Sequence, residues 1–93
     1  MVIGLLTLDL HIPGARSRKE KRHALSSLEA RLRERFNVSV AEVDHHDLWQ
    51  RARLAVVSVN TYAAHLDATL QAAAGEAEHA RLIEVLDANT EVL

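Results

Sequence analysis

From Val2 to His11 the side chains alternate: Val2, Gly4, Leu6, Leu8 and Leu10 form one apolar set, while Ile3, Leu5, Thr7, Asp9 and His11 turn polar toward the end. A period of two predicts a strand, and its first half, apolar on both sides, suits a central position in a sheet. Pro13-Gly14 breaks it, proline withholding an N–H and glycine permitting a sharp turn. Ser17 and Glu20 then have the S-x-x-E spacing of a capping box, in which the hydroxyl accepts an N–H of the first helical turn. Ala24, Leu25, Leu28, Leu32 and Phe36 follow at helical spacing and form one stripe that can lie on a sheet. Arg31, Arg33 and Arg35 fall in the last turns, where cations suit the negative end of the helix dipole.

The period returns to two after Asn37, with Val38 and Val40 on one side, Val43 on the other, and polar residues increasing toward Asp44 and His45. This predicts a second strand at a sheet edge. His46 to Gln50 is the turn region, and the valine-rich run Arg53 to Asn60 is a third strand. Asn60 and Thr61 can cap a second helix whose stripe is Ala63, Leu66, Leu70 and Ala73, ending near Gly75. A fourth strand begins at Leu82 to Leu86 and extends toward Val92. The order βαββαβ predicts a single α+β domain over residues 1–93, a ferredoxin-like two-layer sandwich of a four-stranded antiparallel sheet with two helices on one face. Right-handed crossovers are expected to set strands one and three parallel and adjacent. That arrangement would place His11 at the end of the sheet opposite the turn carrying His45 and His46, about 30 Å away at ~3.3 Å per residue.

Composition narrows the function classes. Ninety-three residues allow one core, and the absence of cysteine excludes disulfide frameworks, thiolate zinc sites and a cysteine nucleophile, in keeping with a reducing compartment. The apolar N-terminal stretch lacks a basic flank, carries Asp9 and His11, and precedes a charged helix, so it is not read as a signal peptide. No run approaches the ~18 apolar residues needed to cross a bilayer. A cytoplasmic protein without a membrane partner is expected. The formal charge is only −2, but residues 16–35 hold eight basic groups against three acids, a net of +5 that leaves −7 for the rest. Such asymmetry bears on partners rather than on fold.

The basic run RSRKEKR places Arg16, Arg18, Lys19, Lys21 and Arg22 at a helix start, where N–H groups and arginine forks suit phosphate. A plain solvated first turn is the alternative. The run Asp44-His45-His46-Asp47 offers metal-ligand chemistry. Neighbouring histidines on a strand point to opposite faces, however, so a polar hairpin end with local aspartate turn bonds is the preferred reading, and no cofactor is expected. Trp49, the only tryptophan, would ordinarily cover the end of a core; exposed beside Arg51 and Arg53, it would form a second candidate partner surface. The predicted central strands carry no aromatics, which disfavours base stacking on the sheet. Apolar residues on the sheet face away from the helices point to homo-oligomer formation through that open face or an edge strand. No glycine-rich phosphate loop or nucleophile elbow is present, so an enzyme is not expected.

RSRKEKR together with Val43-Asp44-His45-His46-Asp47-Leu48-Trp49-Gln50-Arg51-Ala52, and His11-Ile12-Pro13-Gly14 before them, resembles the bacterial YlxP-like family of unknown function over nearly the whole chain. That family more usually has leucine at the position of Arg18 and glutamine at that of His46. The resemblance implies a ferredoxin-like fold and gene neighbourhoods rich in translation and ribosome-maturation factors; it supplies no catalytic residues. The leading expectation is a noncatalytic binding module for structured RNA or a ribosomal assembly. An oligomerising or small-ligand-sensing module resembling ACT-type regulators is the alternative, and a metal-dependent enzyme comes third.

Overall fold

The structure, a computed structural model, describes residues 1–93. Its elements run β1 (Val2–His11), α1 (Arg18–Arg35), β2 (Ser39–Asp44), β3 (Arg51–Asn60), α2 (Ala63–Glu78) and β4 (Glu84–Val92). The four strands form one sheet in the order β2-β3-β1-β4, every neighbouring pair antiparallel. Leu6, Leu8 and Leu10 of β1 and Leu54 and Val56 of β3 point to one side. There they bury against Leu25, Leu28 and Leu32 of α1 and Leu66, Leu70 and Ala73 of α2. This is the ferredoxin-like α+β sandwich expected from the element order. No helix is long and apolar enough to cross a membrane.

One topological expectation is overturned. β1 and β3 are antiparallel, with Val2 opposite Asn60 and His11 opposite Arg51. The right-handed βαβ unit of this fold joins β1 to β2, and β3 inserts between those two parallel strands as the antiparallel return of the β2–β3 hairpin. The end of β1, the start of α1 and the β2–β3 loop therefore meet at one end of the sheet, and the expected separation of His11 from His45 and His46 does not exist.

Boundaries shift where local signals are ambiguous. β3 begins at Arg51 rather than Arg53, and β4 begins at Glu84 rather than Leu82, which sits just before it with φ 70°. α2 runs through Gly75 to Glu78, its buried stripe being Leu66, Leu70, Ala73 and Ala77, while Ala63 is exposed. Tyr62 rather than Asn60 or Thr61 occupies the cap of α2 without a side-chain cap bond; the Asn60 side chain accepts from the Tyr62 N–H one step earlier. α1 starts as expected: Ser17 Oγ accepts from the Glu20 N–H at 3.1 Å. The Glu20 carboxylate, however, reaches back to the Arg16 N–H rather than to the cap itself.

Candidate functional site

Two of the sequence motifs fold onto each other. Lys21 lies one turn into α1, at i, i+4, i+7 and i+11 with Leu25, Leu28 and Leu32, so helical geometry turns it toward the core. It is only 4% exposed. Its Nζ donates to the carbonyls of His45 (2.8 Å) and Leu48 (2.6 Å) and lies 2.9 Å from Glu42 Oε2. His45 takes a left-handed backbone conformation, φ 64°, and its carbonyl also accepts the Leu48 N–H at 3.0 Å. The buried ammonium is thus the pin on which the β2–β3 loop closes. A buried charge is tolerated when paired and hydrogen-bonded, as it is here. Gln50 adds a second tie: its side-chain amide donates to the carbonyls of Pro13 and Ala15, and its backbone carbonyl accepts from the Ile12 N–H.

Lys21 is therefore removed from the set of cations available to a partner. The three arginines at the other end of the helix are tied to the fold as well, although Arg33 and Arg35 stay exposed: Arg33 donates to the Val40 carbonyl, and Arg31 and Arg35 lie 3.6 and 3.3 Å from the largely buried Glu76 carboxylate of α2. What remains is a compact exposed group, Arg16, Arg18, Lys19 and Arg22, around the first turn of α1. Only Arg18 has an ionic partner, Asp47 of the loop at 3.3 Å, and both side chains are largely exposed, so water screens the pair. Positive charge at the positive end of a helix dipole is unfavourable by a few tenths of a kcal/mol or more. Local stability does not account for these four residues.

The loop pinned by Lys21 presents Leu48 and Trp49, each about half exposed, at the same end. The candidate surface of Trp49, Arg51 and Arg53 is split by the structure. Trp49 stands in the loop, whereas Arg51 and Arg53 lie on the open face of the sheet opposite His11 and Asp9. Arg53 is already engaged, with Nε 2.8 Å from Asp9 Oδ1 and Nη1 3.2 Å from Asp44 Oδ2. Asp44 Oδ1 accepts the His45 N–H at 2.7 Å, the local turn bond expected of this aspartate. That bond, reinforced by the charges of His45, Arg53 and His46, holds the Asp44 carboxyl below its ordinary pKa.

A groove of about 500 Å³ runs between α1 and the β2 edge. Arg18 and Arg22 line it together with the carboxylates of Glu29 and Glu42. Burial pushes the Glu29 pKa up, Arg33 opposes this, and Glu42 adds to it. A phosphate drawn to the two arginines meets those acids further in, so anion contact belongs on the outer rim. The histidines do not converge: His11 Nδ1 contacts Glu84 at 3.2 Å, while His46 Nε2 contacts the Glu42 carbonyl. No three His, Asp or Glu side chains gather to hold a metal ion.

Lys21, Glu42 and Gln50 are the residues whose roles a reading by charge alone misses. The signal for Lys21 is its place on the apolar stripe; nothing local marks Gln50, whose partners lie 35 and 37 residues away.

Residues 3–90 match the family described as "Protein of unknown function (DUF503)". The "Uncharacterized protein YlxP" of Bacillus subtilis (strain 168) is 33% identical over 70 residues, which span 75% of this chain and 76% of that relative.

Proposed function

Since the chain belongs to the DUF503 family, whose description assigns no activity, its function has to be argued from the site, and we propose a noncatalytic module that binds structured RNA, such as that of a ribosomal assembly. The observation that carries this reading is the sorting of the basic residues. Four of the eight in residues 16–35 are engaged within the fold, and the other four, Arg16, Arg18, Lys19 and Arg22, all exposed, gather at one helix start of a domain that is −7 elsewhere. Phosphate contacts from these side chains would fix position and orientation. The half-exposed Trp49, in the loop clasped to the same helix, offers a face on which an unpaired base can stack. The acidic remainder keeps the contact local instead of coating the molecule.

The test is binding of a labelled ribosomal RNA hairpin with an unpaired loop, measured against rising salt, for wild type and for a variant with Arg16, Arg18, Lys19 and Arg22 all changed to Ala. Lys21 is left in place because its loss would open the loop. Each lost phosphate contact lowers the slope of log affinity against log salt by about one, so the variant slope should fall by roughly three to four. Trp49→Ala should weaken binding with little change in slope. Equal, salt-insensitive retention of wild type and variant would sink the proposal.

A further inference from the structure

The sheet face turned away from the helices carries a pattern that a second copy of the same chain fits, and this does not depend on RNA binding. Along the seam between β1 and β3 the register sets Ile3 opposite Val59, Leu5 opposite Val57, and Asp9 opposite Arg53. All six point outward, because the alternate residues fill the core. Along this seam the face is therefore aliphatic toward one end and charged toward the other, with Glu91 of the outer strand β4 opposite Leu5 at the rim of the aliphatic end.

We propose that two copies pack these faces together about a two-fold axis that runs along the strands, over the seam between β1 and β3. A two-fold interface brings the same patch of each copy together. An axis across the strands would lay the aliphatic end of one copy over Asp9 and Arg53 of the other and bury charge against methyl groups. The axis along the strands instead lays β1 of each copy over β3 of the other. Ile3 and Leu5 then meet Val59 and Val57 of the second copy, and Asp9 faces Arg53 in both directions, so each charge keeps its neighbour in the chain and gains another. Asp87 falls over Asp44 at the rim, where water screens the repulsion.

Area supports a whole-face contact. The aliphatic end covers on the order of 300 Å², no more than the largest patch of an ordinary monomer. A stable dimer takes about 800 Å² from each partner. Only the full four-stranded face, roughly 19 by 30 Å in plan and larger in accessible area, approaches that figure. The charged end must therefore be part of the contact, and its pattern selects a copy of this chain. The face has no aromatic side chain to hold an RNA base.

Analytical ultracentrifugation over a wide concentration range tests this directly. Wild type should be dimeric, while Asp9→Arg and Arg53→Asp should each lose the dimer because like charges then face across the axis. An equimolar mixture of the two variants should recover it as a heterodimer, in which both arginines of the first variant face both aspartates of the second. A second route uses conservative changes in a chain without cysteine: Thr7→Cys protein mixed with Ala55→Cys protein should give a bismaleimide-linked pair. A wild type that is monomeric throughout overturns the proposal and leaves the RNA reading standing. So does a dimer that persists unchanged in a folded Leu5→Glu variant, or a mixture of the two cysteine variants that yields no linked pair.

Discussion

The two ends of the sheet are held by different means. At the end where β1 finishes, α1 starts and the β2–β3 loop turns, directional bonds join residues far apart in the chain: Lys21 to the carbonyls of His45 and Leu48, Gln50 to those of Pro13 and Ala15. At the other end contact is mostly a matter of volume. Gly4 of β1 lets α2 approach until a Cβ there would lie 2.8 Å from Leu70 Cδ1 and 2.9 Å from Leu66 Cδ2. Its polar ties are fewer, the Ser58 hydroxyl donating to the Asn37 carbonyl and Asn60 accepting from Tyr62. Charge in a motif therefore has to be sorted before it is assigned to a partner. In RSRKEKR one cation is a buried structural pin and its basic neighbours stay exposed, because helical period and not composition decides which way each points.

Changed alike, Lys21 and Arg22 should behave very differently. Lys21→Met removes the donor shared by two loop carbonyls and leaves the largely buried Glu42 carboxylate without its cation. Unpairing a buried ion pair costs about 3 kcal/mol or more. Arg22→Met, one position on and exposed, should stay within ~0.5 kcal/mol of wild type. Urea unfolding followed by circular dichroism reads both. Equal losses would mean that the clasp holds nothing.

The opposite end should answer mainly to volume. Gly4→Ala places a methyl where two leucine side chains already stand. Forcing them aside costs roughly 1–3 kcal/mol, and removing the backbone freedom of glycine returns about 0.5–1. A net loss of about 1 kcal/mol in urea unfolding is expected. Pairing the change with Leu70→Ala should recover part of it, since the added methyl then fills space instead of displacing a neighbour; a purely additive double variant would count against steric contact as the cause.

Much of this architecture is legible in the sequence because it is periodic. The alternation through Leu6, Leu8 and Leu10, the Ser17 cap and the stripe from Ala24 to Leu32 each state an element and a buried face within a few residues. The relation between strands is not written that way. Strands one and three alternate identically whether they run parallel or antiparallel, and the crossover rule sets His11 at the wrong end of the sheet when it is applied to strands one and three instead of to one and two, the pair that α1 joins. Within the candidate site the same divide holds. The exposed arginines can be read from the helix wheel, whereas the Lys21 carbonyls and the Gln50 tie depend on a loop whose closure is set by tertiary contact.

Acid gives the smallest and most selective test, because only the polar end holds a group whose titration is shifted by a turn bond. The His45 N–H, with the nearby positive charges, keeps the Asp44 carboxyl below its ordinary 3.8 in the folded chain. A carboxylate with a depressed folded pKa adds stability that is fully present above its unfolded value and is lost as pH falls through the folded one. Asp44 is exposed, so the effect should be small. The urea midpoint of Asp44→Ala should lie below that of wild type at neutral pH, and the gap should close as pH drops below the ordinary carboxylate range. The Gly4→Ala gap has no titrating group behind it and should hold steady over the same interval. A gap for Asp44→Ala that survives acidification would assign the turn to packing, and the two ends of the sheet would then differ less than their hydrogen bonds suggest.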